Sequence, residues 1–222
     1  SDFESNRPGS ELFSVELGME FGGRWFSYSD PLDGPLCPCR PYQVFGVPGL
    51  LLAGEIYPLA TLSIPAASDI GLTLSYLHAF GLSSQTQDGL RQFGTSYNRF
   101  TAGVRYRIRI GERNEGPVVL GIDGKLGLIN FTFEPDNEPA QEIVDEISTV
   151  GYVFLRLGVD ARVPIGSVFY FQPNIGYVGP LEGGEVYERF TDPSLMGLDL
   201  GIRLGFVLGA GFELRIGVQY TR

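Results

Sequence analysis

Apolar and polar side chains alternate along most of this chain, with the two-residue period of β-strands. The first run covers 13–25, where the odd positions are apolar apart from Gly23 and the even positions are Ser, Glu, Gly or Arg. Similar runs follow at 102–110, 153–163, 196–206 and 212–220. Helical periodicity is nearly missing, so the sequence predicts an all-β protein.

Four weaker strands fit between the clear ones, at about 50–64, 68–81, 117–133 and 167–178. The connections between the nine strands are alternately long and short, and the long ones cover about 29–49, 82–95, 134–149 and 178–193. This alternation predicts an antiparallel up-and-down meander with long loops at one end and tight turns at the other. No linker or break in composition divides the chain, so residues 1–222 are expected to form one domain.

The volume of the apolar face bears on whether this face points into a core or outward into lipid. Nine strands would place roughly 45 large apolar side chains on one face, whereas a packed eight-stranded barrel holds about a dozen inside. A two-sheet sandwich could absorb that number, so volume alone leaves both arrangements open.

The polar face consists mainly of glycine and paired charges, which suits a narrow lumen better than a solvated surface. Lys125 is the only lysine, and arginine favours fixed bidentate ion pairs. Glu16 and Glu20 are expected to meet the ladder Arg105, Arg107 and Arg109. The full predicted lumen charge network is Glu16, Glu20, Arg24, Arg105, Arg107, Arg109, Asp123, Lys125, Arg156, Asp160, Arg162, Asp199, Arg203, Glu213 and Arg215.

Aromatic residues lie near the ends of the apolar face, as in the interfacial girdles of membrane barrels. They are Phe13 and Trp25, Tyr76 and Phe80, and Phe212 and Tyr220. A transmembrane β-strand needs about 9–11 residues, and each clear run supplies that length. Closure of such a sheet is the only way in which it could span a bilayer.

On this architecture the chain resembles the small outer-membrane β-barrel proteins of Gram-negative bacteria, those with eight to ten strands. The resemblance implies short periplasmic turns, long extracellular loops and a periplasmic N-terminal segment, here 1–10. Bacterial barrels have an even strand count and usually end in an aromatic residue, whereas nine strands are visible here and the last three residues are Tyr220, Thr221 and Arg222. We therefore expect ten strands in the intact protein.

His78 is the sole histidine, so acid–base or metal chemistry would depend on it. Its parity places it on the apolar face near a strand end, and no Ser or Asp is positioned by the sequence to activate it. The glycines never open a helix, so no phosphate loop is expected. The sequence predicts no enzymatic activity, no catalytic residue and no cofactor.

Cys37 and Cys39 flank Pro38 in the first long loop. A disulfide between them would be strained, so a link to a partner chain, a redox pair and two plain thiols all remain open. The acidic segment 134–146 lacks the spacing of an EF-hand. Loose binding of divalent cations there is the alternative to solvated loop charge, and the metal content stays unknown.

The acidic charge belongs to one end of the molecule. The four long loops contain thirteen acidic residues and three arginines, which equals the entire formal charge of −10. An acidic chain argues against nucleic acid as a partner. The expected partners are outer-membrane lipid, lipopolysaccharide and proteins of an envelope or surface assembly.

The expected function is a non-enzymatic outer-membrane barrel, either a structural or anchoring component of the envelope or a narrow pore for small solutes. Its acidic loops would face the cell exterior and its short turns the periplasm. The alternative is a soluble β-barrel that carries a hydrophobic ligand.

Overall fold

The structure is a computed structural model that describes residues 11–26, 42–62, 64, 66–85, 92–111, 117–134, 150–183, 196–209 and 212–221. Nine strands form one antiparallel sheet in which each strand pairs with its neighbours in sequence. They are β1 (Phe13–Phe26), β2 (Tyr42–Ile56), β3 (Ile70–Gln85), β4 (Gln92–Ile110), β5 (Val118–Glu134), β6 (Val150–Ile165), β7 (Phe169–Glu182), β8 (Gly197–Gly209) and β9 (Phe212–Thr221). The predicted all-β, up-and-down architecture with nine visible strands is thereby confirmed.

Strand β2 begins at Tyr42, about eight residues before its predicted start, and ends at Ile56. Pro48 and the glycines around it look like loop signals in the sequence. However, β2 pairs with β3 only from Gly49 onward, so Pro48 lies where one side of the strand has no partner. Proline, which has no amide hydrogen to donate to a neighbouring strand, is tolerated at such a position.

The connections do not keep the predicted alternation of long and short throughout. Pairing between β3 and β4 continues to Gln85 and Gln92, which shortens that connection to 86–91. The connection from β2 to β3, predicted to be a short turn, instead covers 57–69 and includes a short 3-10 turn, Ala67–Asp69. The other three connections at that end are shorter, and we call it the turn end. The opposite end is the loop end.

The sheet is strongly curled into a half-barrel. The row of paired residues that starts at Phe13, at the turn end of β1, climbs across the sheet toward the loop end of β8; it reads Phe13, Ile56, Leu72, Val104, Gly124, Leu157, Tyr177 and Leu198. Such a stagger accompanies the tilt of strands in barrels. Among the described residues β1 and β9 share no backbone pairing, so the sheet has one open seam.

The apolar positions of the alternation lie on the convex face and are exposed. Leu17 on β1 is 74% exposed, and Val104 in the middle of the sheet is still 49% exposed. Of the predicted girdle aromatics, Phe13, Tyr76, Phe80, Phe212 and Tyr220 are all exposed, and the side chain of Trp25 lies outside the described part. Within the described ranges, no helix is long and apolar enough to cross a membrane.

Candidate functional site

The charged side chains gather on the concave face, and a triad of Asp123, Arg156 and Asp199 lies near its centre. Arg156 on β6 donates from Nη1 to Asp123 Oδ1 at 2.6 Å and from Nε to Asp199 Oδ2 at 2.7 Å. Asp199 is only 2% exposed, and it also accepts hydrogen bonds from Gln219 and Thr221 at 2.8 and 2.9 Å. One guanidinium therefore ties β5 to β8 across the interior.

A second group surrounds Arg105 on β4. Its guanidinium donates to Asp160 Oδ1 on β6 at 2.7 Å and to Glu55 Oε1 on β2 at 3.3 Å. Asp160 also accepts a hydrogen bond from Gln172 Nε2 at 2.9 Å. Because each carboxylate comes from a strand two positions away in the sheet, these contacts cross the concave face.

A third group links the two open edges of the sheet. Glu213 on β9 accepts hydrogen bonds from Arg162 at 2.5 Å and from the Tyr170 hydroxyl at 2.8 Å. Arg215, also on β9, donates to Glu16 on β1 at 3.1 Å. The curl is therefore sufficient for side chains of the first and last strands to meet.

At the turn end, Asp69 of the 3-10 turn accepts hydrogen bonds from Arg107 Nε at 3.1 Å and from Arg109 Nη2 at 3.3 Å. Arg107 is buried, and its guanidinium carbon lies 3.7 Å from the centre of the Tyr57 ring. The Tyr57 hydroxyl donates to Glu55. Burial and then the Glu55 carboxylate raise the pKa of Tyr57, so its hydroxyl stays protonated. This end of the interior is filled by its own side chains.

Toward the loop end, the concave face carries both an ion pair and buried apolar side chains. Arg99 on β4 donates to Glu20 on β1 at 2.9 Å. Four buried apolar side chains also lie on the concave face toward the loop end, and we call them the apolar stopper; they are Leu77, Leu82, Phe131 and Phe154. The sequence places Phe154 on the inward face by parity, but it does not predict a group of apolar side chains there.

Inward glycines make room for these large side chains. A Cβ added at Gly205 would lie within 2 Å of the Tyr170 ring, and one at Gly121 would lie 2.3 Å from the Arg105 guanidinium. The Arg156 guanidinium similarly covers Gly158 and Gly176. Glycine is therefore needed at these inward positions, because large side chains that cross the lumen occupy the space that a Cβ would take.

We expect Gly127→Ala to destabilise the fold by about 1–3 kcal/mol, because the new methyl group would overlap the Phe154 ring and force repacking of the apolar stopper. Gly124→Ala on the same strand is the matched control, since its Cβ would meet only Leu157 at an ordinary 3.6 Å. Urea unfolding in detergent micelles measures both variants. Equal stability of the two would contradict the tight covering of Gly127.

Most of the predicted lumen charges lie on the concave face, but several partners differ from the prediction. Glu16 contacts Arg215, with Arg203 at 4.0 Å, and Glu20 contacts Arg99. The ladder Arg105, Arg107 and Arg109 instead meets Glu55, Asp69 and Asp160. Lys125 lies 3.5 Å from Asp123. The side chain of Arg24 lies outside the described part.

Sequence reasoning overlooked Glu55, Asp69 and Arg99. Glu55 and Arg99 both share the inward parity of their strands: Glu55 lies within the weakly alternating strand predicted at 50–64, and Arg99 lies just before the run predicted at 102–110. Asp69 lies within the strand predicted at about 68–81, whereas the structure places it in the 3-10 turn before β3. Tyr170 was also overlooked. It has the same inward parity as Gln172, but an aromatic residue is expected on the apolar face.

Comparison with known proteins returned no match among protein-family models, curated proteins or solved structures.

On β4 and β5 the convex face changes from apolar to polar near the loop end. Tyr76 and Phe100 are paired neighbours, and His78, Asn98 and Asn130 form the next row of paired residues toward the loop end. The Tyr76 hydroxyl donates to Asn98 Oδ1 at 2.8 Å, and His78 Nδ1 lies 2.7 Å from the same oxygen. Since an amide oxygen only accepts, His78 Nδ1 is the donor.

The remaining candidates are His78, the two cysteines and the acidic segment. His78 lies on the opposite, convex face, away from the interior carboxylates. Cys37, Cys39 and nearly all of the acidic segment lie outside the described residues. Among the residues that are described, no group of three or more His, Cys, Asp or Glu side chains is arranged to hold a metal ion.

Proposed function

We propose that this chain is an integral outer-membrane β-barrel whose lumen is closed by its own side chains, and that it serves as a structural or anchoring component of the envelope. The observation that carries the proposal is the division of the sheet into an exposed apolar convex face and a concave face of mutually paired charges. A soluble carrier would need the reverse arrangement, with apolar side chains inside around its ligand.

The height of the apolar convex band supports a location in the bilayer. On β4 the outward positions are apolar from Phe100 to Ile110 and become polar at Asn98. These ten residue steps correspond to roughly 33 Å along a strand. At a tilt of about 40°, this length gives an apolar band about 25 Å tall, as in outer-membrane barrels.

The charge balance of the interior supports a scaffold over a pore. Ion pairs join nine cationic and nine acidic side chains: Arg99, Arg105, Arg107, Arg109, Lys125, Arg156, Arg162, Arg203 and Arg215 with Glu11, Glu16, Glu20, Glu55, Asp69, Asp123, Asp160, Asp199 and Glu213. In this proposal the neutral network and the apolar stopper occupy the route that a solute would take.

In this proposal the long acidic loops face the cell exterior and the turn end faces the periplasm. The lipid partners are outer-membrane phospholipid and lipopolysaccharide, and the protein partners are members of an envelope assembly. The chemistry of the interior favours a non-enzymatic role, because its carboxylates are paired with guanidinium groups instead of being poised as acids or bases.

Cell fractionation and planar-bilayer recording test the two parts of the proposal. We expect the protein in the outer-membrane fraction, with a gel mobility that changes on boiling, and no steady current after insertion into a planar bilayer. Recovery as a monodisperse species in plain buffer would disprove the membrane location. Steady open-channel currents would leave the membrane location intact and replace the scaffold by a narrow pore.

A further inference from the structure

The connection 57–69 between β2 and β3 exposes apolar side chains at the turn end. Leu59, Leu62 and Ile64 are 37%, 46% and 52% exposed. Residues 57–68 contain no charged side chain, whereas the connection 111–116 at the same end contains three among its six residues. Exposed apolar groups of this kind mark contact surfaces, so the connection calls for a partner other than water.

Both ends of the connection are fixed to the interior. At its first residue, the ring of Tyr57 is buried, and a Cβ added at Gly71 on β3 would lie 2.7 Å from that ring. At its last residue, Asp69 accepts hydrogen bonds from Arg107 and Arg109. The connection is therefore amphipathic as a unit, because its two ends are held against the concave face while the aliphatic side chains between them are exposed.

The connection lies beside the turn-end part of β4. Pairing between β3 and β4 begins at Ile70 and Tyr106, and β4 continues from there to Ile110. Asp69 contacts two arginines of this extension. On the convex face of the same extension, Ile108 and Ile110 are exposed and belong to the apolar band. The connection thus occupies a level at which β4 still presents apolar side chains outward.

The exposed apolar surface continues from the strand ends into the connection. Ile56 lies directly before the connection and Ile70 directly after it, and both are exposed. Phe13 pairs with Ile56 and is exposed as well. This continuity favours the same partner as that of the convex face, which is lipid in the proposed membrane location. A water-soluble protein would have to compete with lipid at these strand ends.

The backbone of the connection suits the headgroup boundary better than the hydrocarbon core. Irregular backbone exposed to lipid does not occur in the core, whereas an amphipathic segment at the boundary keeps access to water and headgroups. Several of its amides donate to nearby carbonyl oxygens at 2.8–3.3 Å; they belong to Tyr57, Ala60, Leu62, Ser68 and Asp69. Pro58 and Pro65 have no amide hydrogen. These features reduce the number of amides that water or headgroups must satisfy.

We propose that the connection 57–69 is an interfacial lipid anchor. Leu59, Leu62 and Ile64 insert between phospholipid acyl chains beside the headgroups of the leaflet at the turn end, while Tyr57 and Asp69 hold the segment to the interior. The anchor completes the apolar band beside the extension of β4. This inference rests on the proposed membrane location, but it is independent of whether the barrel is a scaffold or a pore.

Depth-dependent fluorescence quenching tests the anchor. Thr61→Cys, Val104→Cys and Ser167→Cys, each in a background with Cys37→Ser and Cys39→Ser, place one labelled thiol on the anchor, on the middle of the convex face and in the short turn between β6 and β7; all three positions are exposed. The proteins carry a nitrobenzoxadiazole fluorophore in dioleoylphosphatidylcholine vesicles. Spin-labelled lipids quench near the headgroup or near the chain end, and iodide quenches in water.

The label at Thr61 is expected to be quenched several-fold more by the shallow lipid than by the deep lipid, and the label at Val104 to show the reverse. The label at Ser167 is expected to respond most strongly to iodide. Equal quenching by shallow lipid at Thr61 and Ser167 would show that the whole turn end lies at one depth, which would overturn a dedicated anchor.

A second set of variants tests the aliphatic side chains themselves. Leu59→Asn, Leu62→Asn and Ile64→Asn together should reduce shallow quenching at Thr61 several-fold and expose that label to iodide. Heat-modifiable folding should persist, because the three replaced side chains are exposed. Leu59→Ile, Leu62→Ile and Ile64→Leu form the matched control, in which the apolar surface and the quenching are expected to remain. Unchanged quenching in the asparagine variant would contradict insertion of these side chains.

The outcomes separate the anchor from the membrane location. Quenching of Val104 by lipid while Thr61 responds only to iodide would overturn the anchor and leave the membrane location intact. Protection of Thr61 from iodide without quenching by lipid, together with a disulfide between the Thr61→Cys positions of two unlabelled chains, would show that a second copy covers the connection, which also overturns the anchor. Failure of lipid to quench at Val104 would instead overturn the membrane location.

Discussion

Arg156→Ala is expected to lower the free energy of unfolding by about 3–5 kcal/mol, the usual cost of removing one partner from a buried ion pair. Arg156 is the only cation that contacts both Asp123 and Asp199 within hydrogen-bond distance among the described residues. Without it two buried carboxylates lose their shared cation. Asp199 keeps only the neutral donors Gln219 and Thr221. Urea titration of the protein in lipid vesicles, followed by heat-modifiable gel mobility, measures the loss.

Arg109→Ala is the matched control for Arg156→Ala. Its side chain is 43% exposed, and Asp69 retains the hydrogen bond from Arg107. An exposed pair of this kind contributes about 1 kcal/mol or less. Replacement of the whole triad by Asp123→Leu, Arg156→Met and Asp199→Leu should recover much of the lost stability, because no buried charge is then left unpaired. Equal effects of Arg156→Ala and Arg109→Ala would show that the triad is solvated.

Val104→Arg is expected to cost about 2–4 kcal/mol of folding free energy in phospholipid vesicles, the range found for arginine at the midplane of a bilayer. Val104 lies on the convex face of β4, midway along the apolar band, and is about half exposed. In the proposed membrane location this exposed surface contacts lipid tails, so a guanidinium there must drag water or headgroups inward. Folding titrations with vesicles of defined thickness give the free energy.

Asn98→Arg tests the depth dependence on the same strand and the same face. Asn98 lies in the polar row beside His78, where an arginine is expected to cost about 0–1 kcal/mol. A thinner bilayer should bring the membrane interface closer to Val104 and reduce the difference between the two variants. Identical costs at the two positions, or no dependence on bilayer thickness, would contradict an apolar band that matches the bilayer core.

The strands were predictable where polar and apolar types alternate without interruption. In β6 the run from Val153 to Val163 fixed both the strand and its two faces, because a one-residue shift would reverse every side chain. The predicted position of β2 was wrong because Pro48 and neighbouring glycines interrupt the alternating pattern. Their tolerance depends on the partial pairing of β2 with β3, and that pairing is a property of the folded sheet and not of the local sequence.

Parity predicted which charged side chains point inward, but it did not predict their ion-pair partners. Arg99 reaches Glu20 across two intervening strands, and Arg215 reaches Glu16 from the opposite edge of the sheet. Such contacts depend on the radius of the curl and on the stagger of the strands, neither of which is encoded in any one segment. The apolar stopper was missed for a related reason. Phe154 already has inward parity in the alternating run of β6, but Phe131 lies in a weaker strand and resembles a lipid-facing residue by type.

Because Lys125 is the only lysine in the sequence, an amine-reactive reagent can report on the accessibility of the interior. Lys125 projects among Asp123 and Arg156 with about a quarter of its side chain accessible, and its ε-amine is the only side-chain amine in the sequence. An amine-reactive label therefore samples the interior at one known position. The rate of acylation at Lys125 would then report each opening of the lumen without any engineered residue.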